Sequence, residues 1–120
     1  MKENVVKAKS FAFALRVVTL TKYLQGEKKE FVLSKQMLRS GTAIGALVRE
    51  AEHAESKADF IHKMNIALKE ANETLYWLEL LHQSEYIAEQ SFESIRMDSE
   101  ELVKLLVSIV KTSKASIRAQ

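Results

Sequence analysis

No proline interrupts these 120 residues, and glycine occurs only at Gly26, Gly41 and Gly45. Proline breaks helices by removing a donor and clashing with the preceding turn, so a chain without it is free to run in long helices. The hydrophobic periodicity uses that freedom. Apolar residues recur at the three-four spacing of a helical face in four stretches, expected at about residues 4–25, 32–53, 57–83 and 89–117. The first carries Val6, Phe13, Val17, Leu20 and Leu24, and Gly26 is a natural stop. The second carries Leu33, Met37, Ile44, Leu47 and Val48. In the third, Ser56 is a candidate N-cap with Asp59 in the first turn, ahead of Phe60, Met64, Ala67, Leu68, Ala71, Leu75, Leu78 and Leu81 or His82. Phe92, Ile95, Leu102, Leu105, Leu106 and Ile109 mark the fourth. Short connections force neighbouring helices antiparallel, so the expected fold is all-α: one domain over residues 1–120, an up-down-up-down four-helix bundle. Gly41 and Gly45 share one face, which suits close approach of a neighbouring helix.

With 47% apolar and 28% charged residues the chain has the composition of a globular protein. Cysteine is absent, which excludes disulfides, a thiolate nucleophile and a cysteine zinc site. Arg16 interrupts the apolar run near the N-terminus, so no signal peptide is expected, and no stretch is long and apolar enough to span a membrane. The expected location is cytoplasmic.

Two helices carry more apolar surface than one core needs. Phe11, Ala14, Leu15 and Val18 form a second stripe on the first helix, and Val103, Val107 and Val110 flank the core leucines of the fourth. Such surface is expected to be covered by further copies of the chain, making a homo-oligomer.

Catalytic signals are weak. Two Glu-x-x-His pairs, Glu50–His53 and Glu79–His82, have the spacing of a di-iron bundle. In an antiparallel pair, however, about 17 residues at 1.5 Å rise put the two glutamates roughly 25 Å apart in level. His53, Asp59 and His62 near one turn read as solvated surface groups. No nucleophile motif or phosphate-cradling glycine loop is present. The expectation is no enzyme activity, no cofactor, no metal and no small-molecule substrate.

The net charge of +2 hides a segregated pattern. Residues 1–49 hold ten Lys/Arg against three acids, residues 50–101 four against thirteen, and residues 102–120 four against none. Lys2, Lys9 and Arg16 recur every seven positions, as do Lys104, Lys111 and Arg118, so each trio shares a face. With Lys7 and Lys114 they are the candidate phosphate-binding residues. Arg39 and Glu50 read as ion-pairing or capping residues, and adjacent Tyr76 and Trp77 as packing or interface residues.

The second and third helices also carry a pattern: Gln36, Arg39 and Ser40, then Ile44 to Glu50, Asp59-Phe60, Ala67, Lys69-Glu70, and Glu73-Thr74 followed by Tyr76-Trp77-Leu78. This pattern resembles the bacterial four-helix-bundle family named after the intervening sequences of 23S ribosomal RNA. It departs at Ala43 and Leu47, where many relatives have Ser and Asn. The resemblance implies association with RNA or a nucleoprotein and no assigned enzymatic activity. It extends to the accessory proteins of diversity-generating retroelements, which are pentameric rings, and so implies a homopentamer. The competing reading is a protein–protein adaptor that does not touch nucleic acid.

Overall fold

The apolar periodicity resolves into four antiparallel helices: α1 (Lys2–Gly26), α2 (Leu33–Ala51), α3 (Lys57–Gln83) and α4 (Glu89–Ala119). The computed structural model describes residues 1–119, and among these there are helices and turns only. The bundle measures 53 × 22 × 19 Å, and each helix packs on its chain neighbours, with α4 returning to α1 to close the square. All four helices begin and end within two residues of the expected bounds. Helix α2 ends at Ala51, leaving Glu52 and His53 in the turn to α3.

The core stacks Val6, Phe13, Val17 and Leu24 of α1 on Met37, Ile44 and Val48 of α2. The far side adds Met64, Ala67, Ala71, Leu78 and Leu81 of α3, with Ile95, Leu102, Leu106 and Ile109 of α4. Ile61 rather than Phe60 is the buried residue at the start of α3, and Leu20, Leu47, Leu68 and Leu105 line the margins. Small polar residues fill positions that apolar periodicity passes over: Ser10, Ser34, Ser40, Thr74 and Ser99 are all fully or almost fully buried. Ser40 and Thr74 hydroxyls meet across α2 and α3 at 2.8 Å, and Thr74 also reaches the Glu70 carbonyl at 2.8 Å.

The helix-interior glycines act as the sequence suggests, but unequally. A Cβ at Gly41 would stand 2.8 Å from Val17 Cγ2 and 2.9 Å from Val17 Cγ1, and Val17 is itself fully buried. A Cβ at Gly45 would meet the Ser10 carbonyl and hydroxyl oxygens at 3.4 Å, an ordinary contact. Alanine in place of helical glycine gains about 1 kcal/mol in propensity, while overpacking a buried site costs about 1–3 kcal/mol. The two substitutions should therefore differ in sign. In urea unfolding, Gly45→Ala is expected to hold or raise stability and Gly41→Ala to lower it by about 1 kcal/mol. Equal effects would contradict this account of α1–α2 packing.

Candidate nucleic-acid interface

The heptad of cations on α1 meets a matching set of acceptors on α4. Lys2 Nζ donates to Ser108 Oγ, and Lys9 Nζ to Glu101 Oε1 at 3.1 Å. Arg16 Nη1 donates to Asp98 Oδ2 at 2.6 Å, while Nη2 donates to Ser94 Oγ at 3.0 Å. The seven-residue spacing on α1 thus runs antiparallel to a nearly equal spacing on α4, and the polar rungs hold the two helices together. Lys7, on the other flank, pairs with Glu52 at 2.9 Å. Lys7, Lys9 and Arg16 therefore stand beside carboxylates, and Lys2 beside a hydroxyl. Exposed ion pairs like these stabilise by at most about 1 kcal/mol, but the neighbouring carboxylate offsets the positive charge each cation presents.

The α4 cations differ. Lys104, Lys111, Lys114 and Arg118 are exposed and have no acidic partner among the described residues. Helix α4 continues 11 residues past Ser108, the rung of Lys2, which carries it about 16 Å beyond the start of α1. Ile109, Val110 and Ser113 still pack inward there, so Lys111 and Lys114 sit on a braced helix. The candidate phosphate-binding residues thus divide into paired cations on α1 and open cations on α4.

The second apolar stripes are also sorted. Phe11, Leu15 and Val107 are exposed, whereas Ala14, Val18 and Val103 are half-buried. Val110, expected on an outer stripe, is instead buried in the chain's own core, because it lies one helical turn past Leu106 on the same face. The Arg49 guanidinium lies 4.9 Å over the Phe11 ring. Val107 lies between Lys104 and Lys111, so the two stripes do not merge into one dry face.

The motif residues of α2 and α3 converge on a single network. Arg39 bridges Glu70, at 3.3 Å, and Glu73, and Glu73 also accepts from the Trp77 indole N–H at 3.0 Å. That indole bond, with Arg39 adding to it, holds the Glu73 carboxyl below the ordinary carboxylate range against the opposing push of partial burial. Tyr76 is exposed and meets Trp77 edge-on at 5.0 Å. Gln36 is exposed and Phe60 half-buried. Glu50 pairs with Lys63 at 3.5 Å near the α2–α3 turn, while His82, stacked on Phe92 near the opposite turn, reaches Glu89 at 2.6 Å. No group of three or more potential metal ligands gathers among the described residues. No helix among them is long and apolar enough to cross a membrane.

One functional acid escapes sequence reading. Glu30 looks like part of a polar loop but is buried, and its carboxylate accepts from the backbone N–H groups of Val32, Leu33 and Ser34 at 3.1, 2.9 and 2.7 Å. The N-cap of α2 is Val32, whose side chain caps nothing, and Glu30 supplies the missing acceptors. The missing Ser, Thr, Asp or Asn at that start was the available signal.

The described residues thus form a slender four-helix bundle with a polar α1–α4 seam and an open basic stretch on α4. The family model of the 23S rRNA-intervening sequence proteins matches residues 2–108, and the chain belongs to that family. Lys111, Lys114 and Arg118 lie past the matched span. A crystal structure from Bacteroides thetaiotaomicron VPI-5482, described as a protein of unknown function from the S23 ribosomal protein family, is 66% identical with a TM-score of 0.91. The similarity covers 92% of this chain and 99% of that one. No curated protein matches the chain significantly.

Burial opposes ionisation of Glu30, but the three backbone donors outweigh it and the carboxyl titrates below its ordinary value. A depressed folded-state value stabilises the fold above the ordinary carboxylate range and is lost as pH falls through the lower one. At neutral pH, Glu30→Gln is expected to lose about 1 kcal/mol of stability. The gap to wild type should close as pH drops below about 4. A gap that is constant from pH 7 to pH 3 would show that the charge of Glu30 is not what caps α2.

Proposed function

We propose that this chain is a non-catalytic, self-associating helical scaffold that engages RNA or an RNA-bound partner through α4. The observation that carries the reading is the open cationic run of Lys104, Lys111, Lys114 and Arg118, in a bundle where Lys7, Lys9 and Arg16 of α1 are paired with carboxylates. Phosphate backbones reward clustered Lys and Arg by releasing counterions, and they do so only where the cations are not already neutralised. The family description, with its reference to 23S rRNA, favours RNA over other polyanions. Self-association is supported by Phe11 and Leu15, exposed on an outer face of α1 that Ala14 and Val18 extend. The family resemblance makes a pentameric ring the expected assembly, which would present several copies of α4 together.

The test is binding of a short RNA stem-loop, followed by fluorescence anisotropy across a salt series. Wild type is expected to lose affinity steeply with salt. A triple variant, Lys111→Glu, Lys114→Glu and Arg118→Glu, should bind more weakly and with a slope shallower by roughly one unit per lost phosphate contact. Charge reversal at Lys9 and Arg16 should leave the slope nearly unchanged. An RNA affinity indifferent to the α4 changes, or no binding at all, would sink the reading.

A further inference from the structure

Which form of RNA suits the α4 cations follows from how the helix holds them. At 3.6 residues per turn, Lys104, Lys111, Lys114 and Arg118 fall within an arc of roughly 80°. That arc lies opposite Leu102, Leu106, Ile109 and Ser113, which are buried, so all four cations point away from the bundle. They make a row about 21 Å long at a rise of about 1.5 Å per residue. One turn before Lys104 the same side of α4 turns acidic, with Glu100 on Arg96 and Glu101 on Lys9. A polyanion is therefore confined to the C-terminal half of the helix.

The row lacks the features that hold a single strand. Single-strand sites stack bases on aromatic rings along a positively charged groove. From Glu93 to its last residue the chain has no Phe, Tyr or Trp. The exposed aromatic residues among those described, Phe11, Tyr23, Phe31 and Tyr76, belong to α1, the α1–α2 connection and α3. The cleft between α1 and α4 and the one at the α3–α4 turn reach no further along α4 than Ile95. Base-edge readers are missing as well. Residues 104–119 hold no Asn, Gln, Asp or Glu, and three of the four cations are lysines, compact point charges rather than bidentate forks. A duplex suits such a row better. It carries one charge per about 1.7 Å of axis, twice the density of one strand, and releases more counterion per contact. Its phosphates are also already ordered, whereas a flexible strand must lose freedom to lie along a rigid row.

We infer that the α4 row is a site for the phosphate backbone of double-stranded RNA, taken up by shape and charge without reading sequence. A-form RNA exposes backbone and 2′-hydroxyls across a wide, shallow minor groove, a surface that a convex helix face meets without entering a cleft. The inference rests on the RNA reading proposed above and specifies the form of RNA that the site takes.

Fluorescence anisotropy with one labelled RNA strand, alone and annealed to its complement, tests it on the full chain at fixed salt. The strand is free of self-complementarity, and the duplex is about 16 base pairs long. The duplex is expected to bind about tenfold or more tightly than the strand. A second duplex of unrelated sequence should bind within about threefold of the first. Lys111→Glu with Lys114→Glu, both at exposed positions, should weaken duplex binding while circular dichroism shows the helices unchanged. A strand that binds as tightly as the duplex, with both weakened by these changes, would overturn the duplex assignment and leave α4 as an RNA site. A strong preference for one duplex sequence would overturn recognition by backbone alone. No binding to either RNA, or binding indifferent to the two changes, would overturn this inference and the RNA reading together.

Discussion

The close passage of α1 over Gly41 and Gly45 is the constraint on which the rest of this bundle depends. With Val17 seated where a Cβ of residue 41 would be, and Ser10 against Gly45, α1 lies deep on α2 along its central turns. Small residues fill the waist there, where Ser10, Ser40, Ala67, Ala71, Thr74 and Ser99 are all buried. Buried hydroxyls are tolerated because most find acceptors within their own helix or, for Ser40 and Thr74, each other. Ser99 Oγ has no such partner, and the structure supplies no physical account of it.

Drawing α1 towards α2 leaves its other flank thinly packed. Outside the shared core, the α1–α4 seam is bridged by polar rungs, with Lys9 on Glu101 and Arg16 on Asp98. Those rungs separate the paired cations Lys9 and Arg16 of α1 from the open cations on α4. Arg39, Glu70, Glu73 and Trp77 reinforce the opposite, well-packed side, where α2 meets α3. At about half exposure, Arg39 adds orientation more than stability.

Much of the fold was legible in the sequence because its signals are local and repeat. Helix periodicity, the Ser56 cap and the two helix-interior glycines are each decided by a few neighbouring residues, and the Ser56 hydroxyl does accept from Asp59 N–H at 3.0 Å. The interface was harder to read because it depends on register between distant helices. Lys9 and Lys111 look alike along the chain, and only the antiparallel offset that sets Lys9 against Glu101 and carries Lys111 past the start of α1 separates them. Val110 was misplaced for a related reason: on a helix apolar on several sides, periodicity does not say which stripe meets the core. Glu30 was missed because its role lies in three backbone N–H groups, which leave no mark on the side-chain pattern.

The central claim is that RNA, when bound, lies along the end of α4 and not along the cationic heptad of α1. Photo-crosslinking of the wild-type chain to a short RNA stem-loop, with adducts mapped by peptide mass spectrometry, tests it most directly. The account predicts adducts concentrated in peptides spanning residues 104–119 and few in those carrying Lys2, Lys9 and Arg16. Adducts concentrated on α1 would contradict it, because the rungs to α4 would then have to open for binding.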